Sequence, residues 1–451
     1  MHIIKNISII VIPIFIYLIL SNFIVNQKDI ILITTIATTI IFWATNLIPN
    51  FLSSLLFLFS CIIFSLSSKE IIFSGFSSSA FWLVFAGMLI ATAIKNVNLT
   101  NRVSKYFSNL KNVSYLNLII SITIFSTIFS FIMPSSVGRV VLMVPISIAV
   151  ANSFGFKEND KGYIGILLAF ILTTSMSGFT ILPANVPNMI LSGLASQIYN
   201  YEILYSHYLV TNFVILGFLK NIIIVGLLYY FFNDKPKITN KNRTKVKFDK
   251  NEIIVLITIF IMILFWATDF IHKISPSIIA ICGILFLGLP FIGIIKTEDL
   301  NSVKFSSLLF VATIIGLGSV VANSDFIRTL LSNIIDFYEP SKYEIINYLK
   351  VTLFMSLTGI FTTQPTIPAI FTPLAQHISD VTGFNLSQIF MMQVAAYSNI
   401  FLSHQAPPLI VGLALAKIKQ KYVLKILITT AIITTLFLYP LEYFWIKYLN
   451  L

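Results

Sequence analysis

Charge is scarce in this sequence. Aspartate, glutamate, lysine and arginine make up 10% of its 451 residues, where soluble domains carry about a quarter, and mean hydropathy is +0.92. That scarcity excludes a sizeable soluble domain and places the working residues inside a membrane. Cysteine is nearly missing as well. Cys61 and Cys282 each sit in an apolar run, so no disulfide framework or thiolate metal site is expected, and both read as helix-packing residues. The apolar–polar alternation of a β-barrel is absent. No HExxH, DxxD-type carboxylate cluster or GxSxG falls at a break in an apolar run, which leaves a polytopic membrane enzyme with little chemistry and no catalytic residue or metal site to name. The net charge of +12 does not point to nucleic acid, because the basic residues lie in short loops rather than on one face.

What the sequence has instead is one apolar run after another. Spans of roughly 20 residues are what a bilayer core requires. The reading is an all-α polytopic membrane protein with about 11 transmembrane helices, two re-entrant helical hairpins and two inverted-topology repeats. Residues 1–29 hold a first helix, retained because the run is too long for a signal peptide and lacks a small-residue cleavage site. The first repeat covers 30–232, with a hairpin at 115–154 and a broken helix at 163–199. A basic linker, 233–252, separates it from the second repeat, 253–451, with a hairpin at 345–378 and a broken helix at 388–416. Phe42-Trp43-Ala44-Thr45-Asn46 returns as Phe265-Trp266-Ala267-Thr268-Asp269, an offset of 223 residues, and Pro408 follows Pro187 by 221. In both hairpins a proline follows the first polar residue of the tip by ten positions, Ser135 to Pro145 and Thr363 to Pro373.

A hairpin that enters and leaves by one side leaves five crossings per half, so the second half is expected upside down relative to the first. Loop charge places the ends. With the N-terminus cytoplasmic, Lys95 to Lys111, the linker and Lys417, Lys419 and Lys421 all fall inside, while the loops 200–208 and 376–388, free of Lys and Arg, face out. Arg328, Lys342 and Lys350 are exceptions, offset by Asp325, Asp336, Glu339 and Glu344. The C-terminus is then external, and the expected location is a bacterial cytoplasmic (inner) membrane.

The chemistry concentrates at four interruptions. Two hairpin tips and two broken helices meeting at mid-membrane would offer free helix ends, N-termini to an anion and C-terminal carbonyls to a cation. Ser135, Ser136, Asn185, Asn188, Thr362, Thr363 and Gln364 are the side chains placed to assist, although membrane serines and threonines also bond their own backbone. Arg139 is the more specific signal. At membrane depth it costs roughly 2.5 to 3.5 kcal/mol, and its fork suits a carboxylate; the competing account is a shallow arginine that snorkels or pairs with a helix end. His404, in the second break, is an auxiliary or proton-carrying residue or else a packing one. Lys220 is a further candidate or else a mark of the outer part of its helix, and Asp269 reads as an interfacial residue.

These residues carry a resemblance. Ser135-Ser136-Val137 and Thr363-Gln364-Pro365 stand where the divalent anion/sodium symporter family of the ion-transporter superfamily has a Ser-Asn-Thr signature at each tip. Asn185-Val186-Pro187-Asn188 and Ala406-Pro407-Pro408-Leu409 stand where it has Thr-Pro-Pro-Asn-like signatures. Pro134 to Arg139 is similar to the Pro-Ser-Asn-Thr-Ala-Arg run of plastid dicarboxylate translocators in that family. The resemblance implies a homodimeric secondary carrier of di- or tricarboxylates such as succinate or citrate, with elevator-type alternating access. It also implies coupling-cation positions at Ser135, Ser136, Thr363 and Ala406, with Na+ or H+ as the coupling ion and no other cofactor. Val137, Pro365 and Leu409 lack the polar side chains of the signatures, so a sodium site would lean on backbone carbonyls. The expectation is therefore that Arg139 supplies fixed positive charge and that the carrier works by proton coupling or exchange. The alternatives are a permease for sulfate or another inorganic oxyanion, an arsenite or sodium/proton carrier of the same superfamily, and a homologue that no longer transports.

Overall fold

The computed structural model describes residues 2–45, 47–99, 113–133, 135–236, 249–326 and 339–450. Pro134 at the first tip, Asn46, most of the basic segment after Lys95, the middle of the linker and Arg328 with Asp336 lie outside the described residues. Among the described residues the chain is all helix, with no strand. Nine of these helices are long and apolar enough to cross a membrane, and three shorter apolar ones accompany them. Ile124, Phe260, Leu285 and Phe437 are each more than half exposed. Such an apolar exterior suits an integral membrane protein, in which helices satisfy their own backbone groups.

Local caps set many of the helix starts. Ser114 Oγ accepts from Asn117 N (3.2 Å) where Tyr115–Ile132 begins, and Ser135 Oγ accepts from Gly138 N (3.3 Å) where Ser136–Ser153 begins. Asp249 and Glu252 form a capping box ahead of Lys250–Ala267, and Pro276 opens Pro276–Gly288, as its fixed φ favours. One cap comes from a distant part of the chain. Asp269, read from sequence as interfacial, is fully buried. Its carboxylate accepts from Tyr205 N, from Ser206 N (3.2 Å) and from Ser206 Oγ (2.6 Å). It satisfies the free N–H groups of a helix start, so the helix begins at Tyr205 and runs to Phe232.

The two hairpins differ in their second arms. In the first, Ser136–Ser153 continues through Pro145. In the second, within the hairpin expected at 345–378, the arm is split into Thr366–Phe371 and Ala375–Thr382. Pro373 withholds a donor there, and the Tyr199 hydroxyl bonds the Thr372 and Pro373 carbonyls, each at 3.0 Å.

Backbone irregularities recur at a constant spacing. Helices end at Ser177 and Ser398, 3-10 turns cover Leu182–Ala184 and Ser403–Gln405, helices restart at Val186 and Pro407, and π-helical segments begin at Phe213 and Thr434. Each pair is 221 residues apart.

The chain forms two compact units. One comprises 1–82, 189–203 and 304–393; the other comprises 83–188, 204–303 and 394–451. At the centre of the first is Phe305–Ala322, approached so closely that a Cβ on Gly75 would lie 1.8 Å from the Ala312 carbonyl oxygen and one on Gly316 2.3 Å from that of Ile72. At the centre of the second is Lys161–Ser177, buried at every position from Gly162 onward.

Asp269→Ala strands the buried N–H groups of Tyr205 and Ser206, which costs on the order of 1–3 kcal/mol. The expected result is a lower midpoint in thermal unfolding of the detergent-purified protein. An unchanged midpoint would show that the remote cap contributes nothing.

Candidate functional site

The first tip and the first break are bonded to each other within one unit. Ser136, buried at the start of its helix, donates from Oγ to Asn185 Oδ1 (2.9 Å), and Asn185 Oδ1 also accepts from Val186 N (3.0 Å). One amide oxygen therefore ties together the N-termini of Ser136–Ser153 and Val186–Tyr199. Two positive dipole ends converge at that point. Asn188, fully buried, donates to the Gly178 and Ile181 carbonyls (2.9 and 2.8 Å). It thereby satisfies acceptors that the interruption of the helix sets free. Ser135 is half-buried and caps the tip helix.

Arg139 has no exposed surface. Its Nη1 donates to the Met133 and Ala184 carbonyls, the latter at 2.9 Å, and its Nη2 approaches the Thr174 carbonyl at 3.4 Å. The fork is thus seated on backbone oxygens from the tip, from the break and from the helix before it. Only Nε lacks a hydrogen bond. Arg139 stands in the first turn of Ser136–Ser153. Space for it depends on Gly178, where a Cβ would lie 2.3 Å from Nη2.

The second tip belongs to the other unit. Thr362 Oγ1 donates to the Thr358 carbonyl (3.2 Å), and the Thr363 and Thr366 hydroxyls meet at 3.3 Å. These hydroxyls serve their own backbone and each other. Gln364 differs: it is 2% exposed, and its Nε2 has no partner. A buried amide donor left unmade costs about 1–3 kcal/mol, which a bound acceptor would recover. Gln393, in the same unit, accepts from Thr372 Oγ1 at 2.8 Å while its own Nε2 is likewise unpartnered.

At the second break, Ala406 is buried and its carbonyl accepts from Leu409 N (2.9 Å), the helix taking up that oxygen. His404 is exposed on the intervening turn. The residue that organises the turn is Gln405, whose Oε1 accepts from the Phe401 and Leu402 amides, both at 2.8 Å. Three further groups touch the broken helices. Tyr208 donates to the Phe179 carbonyl (2.6 Å) and shares a 2.9 Å hydrogen bond with Tyr397. Asn221 Nδ2 reaches Ser177 Oγ (2.9 Å), and Lys220 Nζ reaches the Ser398 carbonyl (2.7 Å). Sequence reading passes over Gln405, Tyr208 and Asn221, and treats Lys220 as peripheral. The available signal is a charged residue and an amide side by side inside an otherwise apolar span.

Comparison with known proteins agrees with this architecture. A family model described as the sodium:sulfate symporter transmembrane region matches residues 1–451. An uncharacterized transporter of Haemophilus influenzae is 20% identical over 425 residues, 90% of each chain. The sodium-dependent dicarboxylate transporter SdcS of Staphylococcus aureus is 24% identical over 251 residues, 51% of this chain and 48% of that protein, so the match spans about half the length of that relative. Among solved structures, the YdaH transporter of Alcanivorax borkumensis shares the fold with a TM-score of 0.52 at 12% identity, over 85% of this chain and 88% of that one.

Gly178→Ala forces a methyl group against the guanidinium, an overpacking that typically costs 1–3 kcal/mol. The expected result is a clear fall in the thermal midpoint, with Ser136→Ala milder because Asn185 keeps its bond to Val186 N. A Gly178→Ala protein as stable as the parent would remove Arg139 from this arrangement.

Proposed function

Since the chain belongs to the sodium:sulfate symporter family, we propose that it is a secondary active carrier of small anions, with di- and tricarboxylates as the preferred class. The observation that carries this reading is the hydrogen bond between Ser136 and Asn185, which brings the N-termini of an 18-residue and a 14-residue helix together. Helix N-termini attract anions through free N–H groups and the dipole. Arg139 adds a full positive charge, and its hydrogen-bond partners are neutral carbonyls. In the other unit, the unpaired Gln364 amide is a donor for a carboxylate oxygen.

Arg139 also bears on coupling. A sodium ion needs oxygen ligands, and here a guanidinium occupies the Met133, Ala184 and Thr174 carbonyls. We infer coupling by protons or by exchange of one anion for another, with elevator-type alternating access as the transport cycle. A permease for sulfate is the second reading, favoured by the description of the family itself.

Thermal unfolding of the purified protein against succinate, citrate, sulfate and phosphate, with sodium replaced by choline, tests both readings. Stabilisation by a dicarboxylate is expected, about 2.7 kcal/mol at a concentration of 100 Kd. Stabilisation by sulfate alone reassigns the substrate, and stabilisation by no anion sinks the proposal. In proteoliposomes, Arg139→Gln is expected to abolish succinate uptake. Unchanged uptake with a strict sodium requirement would reject the fixed-charge account.

A further inference from the structure

We propose that the Lys220 ammonium is a tethered cation, standing at the end of the second broken helix where a mobile coupling ion would otherwise be held. The proposal deepens the anion-carrier reading and rests on it. Lys220 lies within the membrane-spanning helix Tyr205–Phe232 and is 1% exposed. A lysine so placed is costly and calls for a partner or a task. It follows directly on the π-helical segment Phe213–Leu219, an irregularity frequent at functional sites.

Its Nζ donates to the Ser398 carbonyl at 2.7 Å and approaches Ser398 Oγ at 3.5 Å. Ser398 is the last residue of Leu386–Ser398. The terminal carbonyls of a helix lack intrahelical donors and carry the negative end of its dipole. This is the position at which discontinuous membrane helices hold a small cation. An ammonium and a sodium ion both carry one positive charge and both seek carbonyl oxygen, so the lysine supplies what the ion would supply.

The first broken helix offers a comparison. Ser177, at the corresponding helix end, receives Asn221 Nδ2 on its hydroxyl at 2.9 Å, a neutral donor. Positive charge arrives there instead through Arg139, on the Thr174 and Ala184 carbonyls. Each break thus has a resident cation of its own. Glu442 is fully buried in the closing helix Tyr439–Tyr448 of the same compact unit.

The test compares anion affinity in sodium chloride and in choline chloride for the full chain, read as succinate- or citrate-induced thermal stabilisation. The wild type is expected to bind equally in both salts. Lys220→Gln is expected to lose about tenfold in choline, within the usual range of linkage between two ligands, and to regain affinity in sodium, which then enters the vacated position. Lys220→Arg, which keeps the charge, is expected to bind without sodium and decides the matter if the glutamine variant does not fold. Wild-type binding that requires sodium overturns this proposal alone. So does a folded Lys220→Gln that sodium does not restore, paired with an equally impaired Lys220→Arg, since that pattern marks a merely structural lysine. A wild type stabilised by no anion in either salt overturns the carrier reading and this proposal with it.

Discussion

A backbone carbonyl released by a broken helix at membrane depth has no water to turn to, and an unmade bond there costs several kcal/mol. The most distinctive side chains of this protein answer that constraint. Asn188 holds the Gly178 and Ile181 carbonyls, Arg139 those of Met133 and Ala184, Tyr208 that of Phe179 and Lys220 that of Ser398. Tyr199 does the same at the split arm of the second hairpin. Irregular backbone survives in these places because the opened acceptors named here have been assigned donors.

That assignment bears on function. Arg139 and Lys220 belong to the same compact unit and bring positive charge to two different interruptions. Both make their hydrogen bonds to neutral oxygens, so their charge is not cancelled by those partners. The helix starts at Ser136 and Val186 are joined in that unit through Asn185 Oδ1.

Much of this was legible in the sequence, for reasons that can be named. Proline and asparagine at Pro183 to Asn188 and proline at Pro407 and Pro408 announce interruptions, because proline cannot donate within a helix. The polar residues between two short apolar arms announce the first tip in the same way. What the sequence concealed was long-range partnership. Nothing local to Asp269 says that it caps a helix beginning at Tyr205, and nothing local to Lys220 points to Ser398. Pro145 and Pro373 hold equivalent places, yet only the second splits its arm, beside the hydroxyl of Tyr199. Arg139 was legible as a buried cation. Its partners, three carbonyls rather than a carboxylate, were decided by the tertiary fold.

The π-helical segments Phe213–Leu219 and Thr434–Leu438 lie just ahead of Lys220 and Glu442 respectively. A wide turn of this kind differs from its surroundings by a single surplus residue, and that surplus can migrate along the rod step by step without unwinding it. Each step turns only the residue it passes, by about 100°, the angle per residue of an α-helix. Lys220 and Glu442 each stand just beyond such a turn, so a step of the surplus past either one would re-aim that side chain while its helix stays in place.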